Sequence, residues 1–162
     1  MQLHGAVNYW RMTRMPSKSV VRAWARLMKA QRIALAAVEA ALKRAGMPPL
    51  AWYDVLLETE CAGETGARPF ELESTLLLAQ YNLSRLLDRI EREGLIARES
   101  CAEDRRGQVV RITERGKALR RAMWPVYARA IESAVGGRLN AGEAETLMTL
   151  LGRLVEPAIG DG

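Results

Sequence analysis

The stretch Gln80-Tyr-Asn-Leu-Ser-Arg-Leu-Leu-Asp-Arg-Ile-Glu-Arg-Glu-Gly94, continued by Leu95-Ile-Ala-Arg-Glu-Ser100, changes its period part-way. Leu83, Leu86, Leu87 and Ile90 stand at i, i+3, i+4 and i+7, one apolar stripe of a helix. Tyr81, Ser84, Arg85, Asp88 and Arg92 take the opposite face. Gly94 suits the left-handed position that ends a helix, with Leu95 and Ile96 following as apolar residues. From there the spacing is that of strands, over Ile96–Ser100 and Gln108–Ile112. Cys101-Ala-Glu-Asp-Arg-Arg-Gly107 between them is polar and closes on glycine, as a hairpin loop does.

Upstream, Trp24, Met28, Gln31, Leu35, Val38 and Leu42 are spaced 4, 3, 4, 3 and 4 within a helix predicted over about Ser19–Arg44. That seven-residue repeat is the spacing of a helix packing along another helix. Gly46 ends it, and Pro48-Pro49 prevent its continuation. A short helix is predicted over Leu50–Cys61, with Trp52, Val55 and Leu56 as its apolar face. Ala62–Ala67 reads as a turn, and Pro69 opens a third helix to about Leu78, anchored by Phe70, Leu72 and Leu76. Residues 1–18 show no clear period.

Downstream, Thr113-Glu114 caps a long helix to about Val135, with Leu119, Met123, Val126 and Ala130 inward. Pro125 inside it predicts a kink, because proline removes a backbone donor and crowds the preceding turn. Asn140-Ala-Gly-Glu143 is a capping box with Asn in place of Ser or Thr. It opens a last helix to about Glu156, with Leu147, Leu150, Leu151 and Leu154 inward. The expected fold class is mainly α with a small β-hairpin wing. That is a winged helix-turn-helix with a helical dimerisation region, divided as 1–48, 49–113 and 114–162.

Composition narrows the function. Cys61 and Cys101 lie 40 residues apart with no ligand spacing, and His4 is the one histidine. These exclude a zinc site and Cys/His or Ser/His catalysis, so no enzyme, metal or cofactor is expected. A redox-sensing thiol stays open as an alternative use of the cysteines. No apolar run approaches the roughly 18 residues that span a bilayer, and residues 1–14 lack the apolar core of a signal peptide, which predicts a cytoplasmic protein with no membrane partner. Net charge is +5, unevenly spread: +8 over 1–50, −5 over 51–79, +4 over 80–121 and −2 over 122–162. Two basic segments around an acidic one fit a polyanion-binding surface, or simply solvated helix faces.

A helix fits the DNA major groove, where base edges carry distinct donor and acceptor patterns. Residues near the N-terminus of such a helix reach those edges. Here they are Gln80, Tyr81, Asn82, Ser84 and Arg85. Gln and Asn pair with adenine and Arg with guanine, although Tyr81 and Asn82 could equally serve to start the helix. Arg89 suits a phosphate contact or a surface ion pair. Arg105 and Arg106 in the hairpin loop suit phosphates or a narrow minor groove.

Asn82-Leu-Ser-Arg-Leu-Leu-Asp-Arg-Ile-Glu-Arg-Glu-Gly-Leu-Ile-Ala-Arg98, Glu103-Asp-Arg-Arg-Gly107 and Val110-Arg-Ile-Thr-Glu-Arg-Gly116 together resemble the multiple antibiotic resistance regulator (MarR) family, over about residues 50–121. The resemblance implies that Arg106 enters the minor groove and that Asp104 helps fix its side chain. It also implies a homodimer built from the N- and C-terminal helices, which the unpartnered stripes of the first and last helices independently ask for. Two-fold symmetry then calls for an inverted-repeat operator in double-stranded DNA.

The family often senses a small molecule between its dimerisation helices and its DNA-binding lobe. Trp24, Trp52, Tyr53 and Asp54 are the candidates for such a crevice here. The alternative is that the aromatic residues are core and Asp54 is solvated. The expected function is a sequence-specific transcriptional regulator, foremost a repressor released by a small-molecule effector or another signal. The alternative is a winged-helix module that binds protein or RNA.

Overall fold

A computed structural model describes residues 15–76, 80–100 and 108–155, with the side chains of Gln80 and Tyr81 outside the description. The chain forms two compact units, Met1–Ile33 and Ala34–Gly162. In chain order the elements are α1 (Lys18–Arg44), α2 (Leu50–Cys61), a 3-10 turn (Gly63–Thr65), α3 (Pro69–Leu76), α4 (Gln80–Arg92), β1 (Ile96–Ser100), β2 (Gln108–Ile112), α5 (Glu114–Ile131), a π-helical turn (Glu132–Gly136) and α6 (Ala141–Val155).

Within the second unit, the apolar faces of α2, α3, α4 and the hairpin close on one core. Val55, Leu56, Leu72, Leu83, Leu87, Ile90, Ile96 and Val110 are buried there, with Trp52 at its side. A second cluster joins Val38 and Leu42 to Tyr53 of α2 and to Met123 and Ala130 of α5. Leu119 packs against both clusters. The hairpin is antiparallel, with Ile96 opposite Ile112 and Ser100 opposite Gln108. Ala67 adds a third short edge, its N–H donating to the Val110 carbonyl (2.9 Å) and its carbonyl accepting from the Val110 N–H (2.8 Å). Gly66, at φ +69°, makes this edge possible: a Cβ there would meet Val109 Cγ1 at 2.3 Å and the Val110 carbonyl at 2.9 Å.

The predicted caps are present. Thr113 Oγ1 accepts from the Gly116 N–H (3.0 Å) at the start of α5. Asn140 Oδ1 accepts from the Glu143 N–H (3.0 Å), while Glu143 Oε2 accepts from the Asn140 N–H (2.9 Å). Gly94 takes φ +68° as the turn after α4 requires.

Three sequence expectations need correction. Phe70 is no anchor: it is 63% exposed, whereas Leu72 is buried. Two residues along a helix turn roughly 200°, so α3 can bury one of the pair and not both. The α-helix of α5 stops at Ile131 and continues as a π turn rather than regular helix to Val135; α5 runs through Pro125. Leu147, Leu150 and Leu154 of α6 are exposed in the single chain, Leu154 at 68%. Among the described residues, the exposed leucines of α6 therefore find no inner surface to cover them.

Candidate nucleic-acid interface

Burial of Leu83, Leu87 and Ile90 fixes the rotation of α4 about its axis and turns its other face outward. Asn82, Ser84, Arg85 and Arg89 are all exposed on α4. Among the described residues, neither Arg85 nor Arg89 forms an ion pair, so both guanidinium groups present their donors to solvent. Asn82, Arg85 and Arg89 follow one another at i, i+3 and i+7, a row along one side of the helix. Gln80 and Tyr81 begin α4. Asp104, Arg105 and Arg106 of the hairpin loop lie outside the described residues, as do His4 and Cys101.

The strongest polar feature of the lobe was not anticipated from the sequence. Arg98 on β1 reaches back to α4, where Nη2 donates to Asp88 and to Glu91 (2.6 Å) and Nε donates to Glu91 Oε2 (2.8 Å). The Arg98 backbone N–H donates to the other oxygen of Glu91 (3.1 Å). One guanidinium thus binds two carboxylates spaced i, i+3 on α4 and locks that helix to the first strand of the hairpin. Its hydrogen bonds to Arg98 hold the Glu91 carboxyl below the usual carboxylate range, and the same bonds to Glu91 and Asp88 raise the guanidinium further. The available signal was an arginine two residues beyond the buried Ile96, hence on the inner face of the strand, where a charge requires partners.

The far end of the lobe is fixed as tightly. Thr113 Oγ1 donates to the Gly94 carbonyl (2.8 Å), and the Thr113 N–H donates to the Leu95 carbonyl (3.0 Å). Gly116 passes so close that a Cβ would lie 2.1 Å from the Leu95 carbonyl. The end of α4, the base of the hairpin and the start of α5 therefore meet at one junction.

Of the crevice candidates, Trp24 belongs to the Met1–Ile33 unit and is 63% exposed. Trp52 packs in the first core and Tyr53 in the second. Tyr53 stacks on Trp124 (ring centroids 6.2 Å) and meets Tyr127 edge-on (5.1 Å). Asp54 is half-buried. Desolvation, aided by the nearby charges of Glu58 and Glu39, pushes its carboxyl up to about 6. Burial, with the Asp54 charge and Tyr53 adding to it, raises the Tyr127 hydroxyl as well. A cleft of about 500 Å³ opens beside Trp52, lined also by Pro48, Leu95, Arg115, Leu119 and Ala122.

Residues 45–107 match the sequence model of the MarR family. Solved MarR-family structures share its fold across nearly the whole chain. A MarR-family regulator from Streptomyces coelicolor, Sco3205, solved in complex with DNA, superposes with a TM-score of 0.77 at 23% identity, covering 92% of this chain and 96% of its own. BpsR of Bordetella bronchiseptica, whose DNA binding is regulated by 6-hydroxynicotinic acid, reaches 0.76 at 21% identity, covering 88% and 99%. CouR of Rhodococcus jostii RHA1, bound to p-coumaroyl-CoA, reaches 0.73 at 23% identity, covering 90% and 100%. At these identities the likeness establishes the fold. Among the described residues, no helix is long and apolar enough to cross a membrane, and no three acidic, His or Cys side chains are grouped to hold a metal ion.

Proposed function

We propose that this chain is a MarR-family transcriptional regulator that binds double-stranded DNA sequence-specifically as a homodimer in the cytoplasm, and that it is not an enzyme. The observation that carries this reading is the set of α4: its apolar stripe is buried, and Asn82, Ser84, Arg85 and Arg89 are left exposed. An Arg in that place offers a fork of donors to a guanine edge, and Asn matches adenine. Gln80 and Tyr81 at the start of the same helix join the set, and Arg106, with Asp104 fixing it and Arg105 beside it, supplies the minor-groove contact. The exposed apolar faces of α1 and α6 supply the dimer contacts, and the operator is an inverted repeat.

Repression released by a small molecule is the regulatory mode proposed. The effector enters beside Trp52, in the cleft of about 500 Å³ next to the start of α5. Tyr53 and Asp54, which follow Trp52 on α2, belong to the same proposed effector region. Because the cleft includes Leu95, which directly follows the Gly94 turn at the end of α4, a bound molecule would act on the setting of α4.

The test is an unbiased selection of bound duplexes from a random library at physiological salt. The expected product is an inverted repeat with half-sites about one DNA turn, ~34 Å, apart. Arg85→Ala and Arg106→Ala should each lower affinity for that product while the dimer stays folded. Recovery of no enriched sequence would refute the reading in favour of a winged-helix module that binds protein or RNA.

A further inference from the structure

The first 38 residues contain seven basic side chains and no acidic one; Glu39 is the first carboxylate of the chain. Five of these cations, Lys18, Arg22, Arg26, Lys29 and Arg32, lie on α1 at spacings of 4, 4, 3 and 3. At 3.6 residues per turn they share one face, within roughly 120° of arc. Val21, Trp24 and Met28 fall within a separate arc of roughly 60°. All five cations are exposed, and among the described residues none forms an ion pair. Helices of soluble proteins ordinarily intersperse Glu with Lys and Arg, because (i, i+4) opposite pairs stabilise and like pairs repel. Here Lys18–Arg22 and Arg22–Arg26 are like pairs at that spacing. The helix thus keeps a repulsion that one Glu would remove.

We infer that this cationic face of α1 is a second duplex-DNA contact, one that grips the phosphate backbone without reading bases. The inference rests on the DNA-binding reading above and adds a surface to it. From Lys18 to Arg32 the stripe runs ~21 Å along the helix, at 1.5 Å per residue. Charges on one strand of B-DNA recur every ~3.4 Å along the axis, so the stripe faces about six phosphates. Charge complementarity selects a polyanion as the occupant. A basic amphipathic helix can also lie on an anionic membrane. The apolar side of α1, however, follows a seven-residue repeat from Trp24 to Leu42, the pattern of helix against helix: Val38 and Leu42 are buried within this chain, and Trp24, Met28 and Leu35 are the residues the proposed dimer would cover.

The experiment measures affinity of the full-length protein for the selected operator and for a scrambled duplex across about 50 to 200 mM salt. The variant R22Q/R26Q/K29Q is expected to bind both duplexes at least about 10-fold more weakly. The slope of log affinity against log salt should fall by about 0.9 for each phosphate that the variant no longer neutralises. The operator-to-scrambled ratio should stay unchanged. R22K/R26K, which keeps the charge, should keep the slope.

A folded, dimeric triple variant with the wild-type slope would overturn the inference. So would an unchanged slope accompanied by loss of wild-type binding to phosphatidylserine vesicles, which would assign the face to membrane. If the triple variant does not fold, Lys29→Gln alone reads the same quantity, and a slope unmoved in it refutes the proposal. Failure of the regulator reading appears elsewhere, as the absence of any enriched operator, and the scrambled duplex still reports on α1.

Discussion

The lobe from α2 to β2 and the helix α6 are both rich in leucine, yet they dispose of it in opposite ways. In the lobe, Leu56, Leu72, Leu83, Leu87 and Ile90 are buried, and the inward-facing Arg98 has two carboxylate partners. In α6, Leu147, Leu150 and Leu154 stand in solvent although the capping box and the periodicity are as regular as any in the chain. Val20, Val21 and Trp24 do the same on the first half of α1. Local order thus tells nothing about whether a helix is complete. The core of the lobe is closed, and the open faces find no cover among the described residues, although apolar area of this extent is rarely left uncovered.

Four changes would break or sharpen that contrast. The largest effect is expected from L150K/L154K. Loss of two leucines from a covered interface costs about 4 kcal/mol, roughly three orders of magnitude in the dimer dissociation constant. Sedimentation should then show the 18.0 kDa monomer with its helical content intact. An unaltered dimer would mean that α6 is not the open face it resembles. Gly116→Ala should act on the lobe instead, through collision with the Leu95 carbonyl. About 3 kcal/mol of stability, a fall of roughly 10 °C in Tm, is the expected cost, and a neutral result would show that the junction can yield.

Arg98→Ala comes next. It removes charge-assisted bonds to Asp88 and Glu91 at a site that is 21% exposed on the arginine side. A loss of about 2 kcal/mol is expected in chemical denaturation. Double-mutant combination with Glu91→Gln should cost less than the sum of the singles.

The smallest effect is a gain. The Asp54 carboxyl holds its proton up to about pH 6 in the folded chain and releases it near 3.8 when unfolded. The stability of the neutral form is therefore complete below 3.8 and is lost as pH rises through 6. Asp54→Asn should stabilise the protein at pH 7 by about 1 kcal/mol after allowance for solvent screening. The advantage over wild type should vanish as pH falls toward 4. A difference between the two that is constant across this range would show that Asp54 titrates normally.

The elements whose cause is local were legible in advance. The stripe of α4, the stop at Gly94, the strands Ile96–Ser100 and Gln108–Ile112 and the Asn140–Glu143 box all follow from residues a few positions apart. The bounds of α2 were equally plain, between Pro49 and the turn at Gly63. The contacts that local spacing does not encode join residues far apart in the chain. The Ala67–Val110 edge joins positions 43 apart, and the Arg120–Glu60 ion pair joins α5 to α2 across 60. Phe70 was misplaced because the phase of an eight-residue helix is poorly fixed by two or three apolar residues. Of the proposed interface, the outward face of α4 could be read from its stripe. The clamp that orients it could be read only as far as an inward arginine on β1, since nothing in the spacing of Asp88, Glu91 and Arg98 names the two carboxylates as its partners.

That clamp also sets what the lobe can do mechanically. Two parts that touch a target at separate places can adapt to it if they hinge, or gauge it if they do not. With α4 and β1 held by one guanidinium across two carboxylates, and their far ends stitched to α5 at Thr113 and Gly116, the lobe behaves as a caliper with a locked jaw. On the proposed function, a duplex would have to match that fixed spacing already, and a misfit would be rejected rather than accommodated.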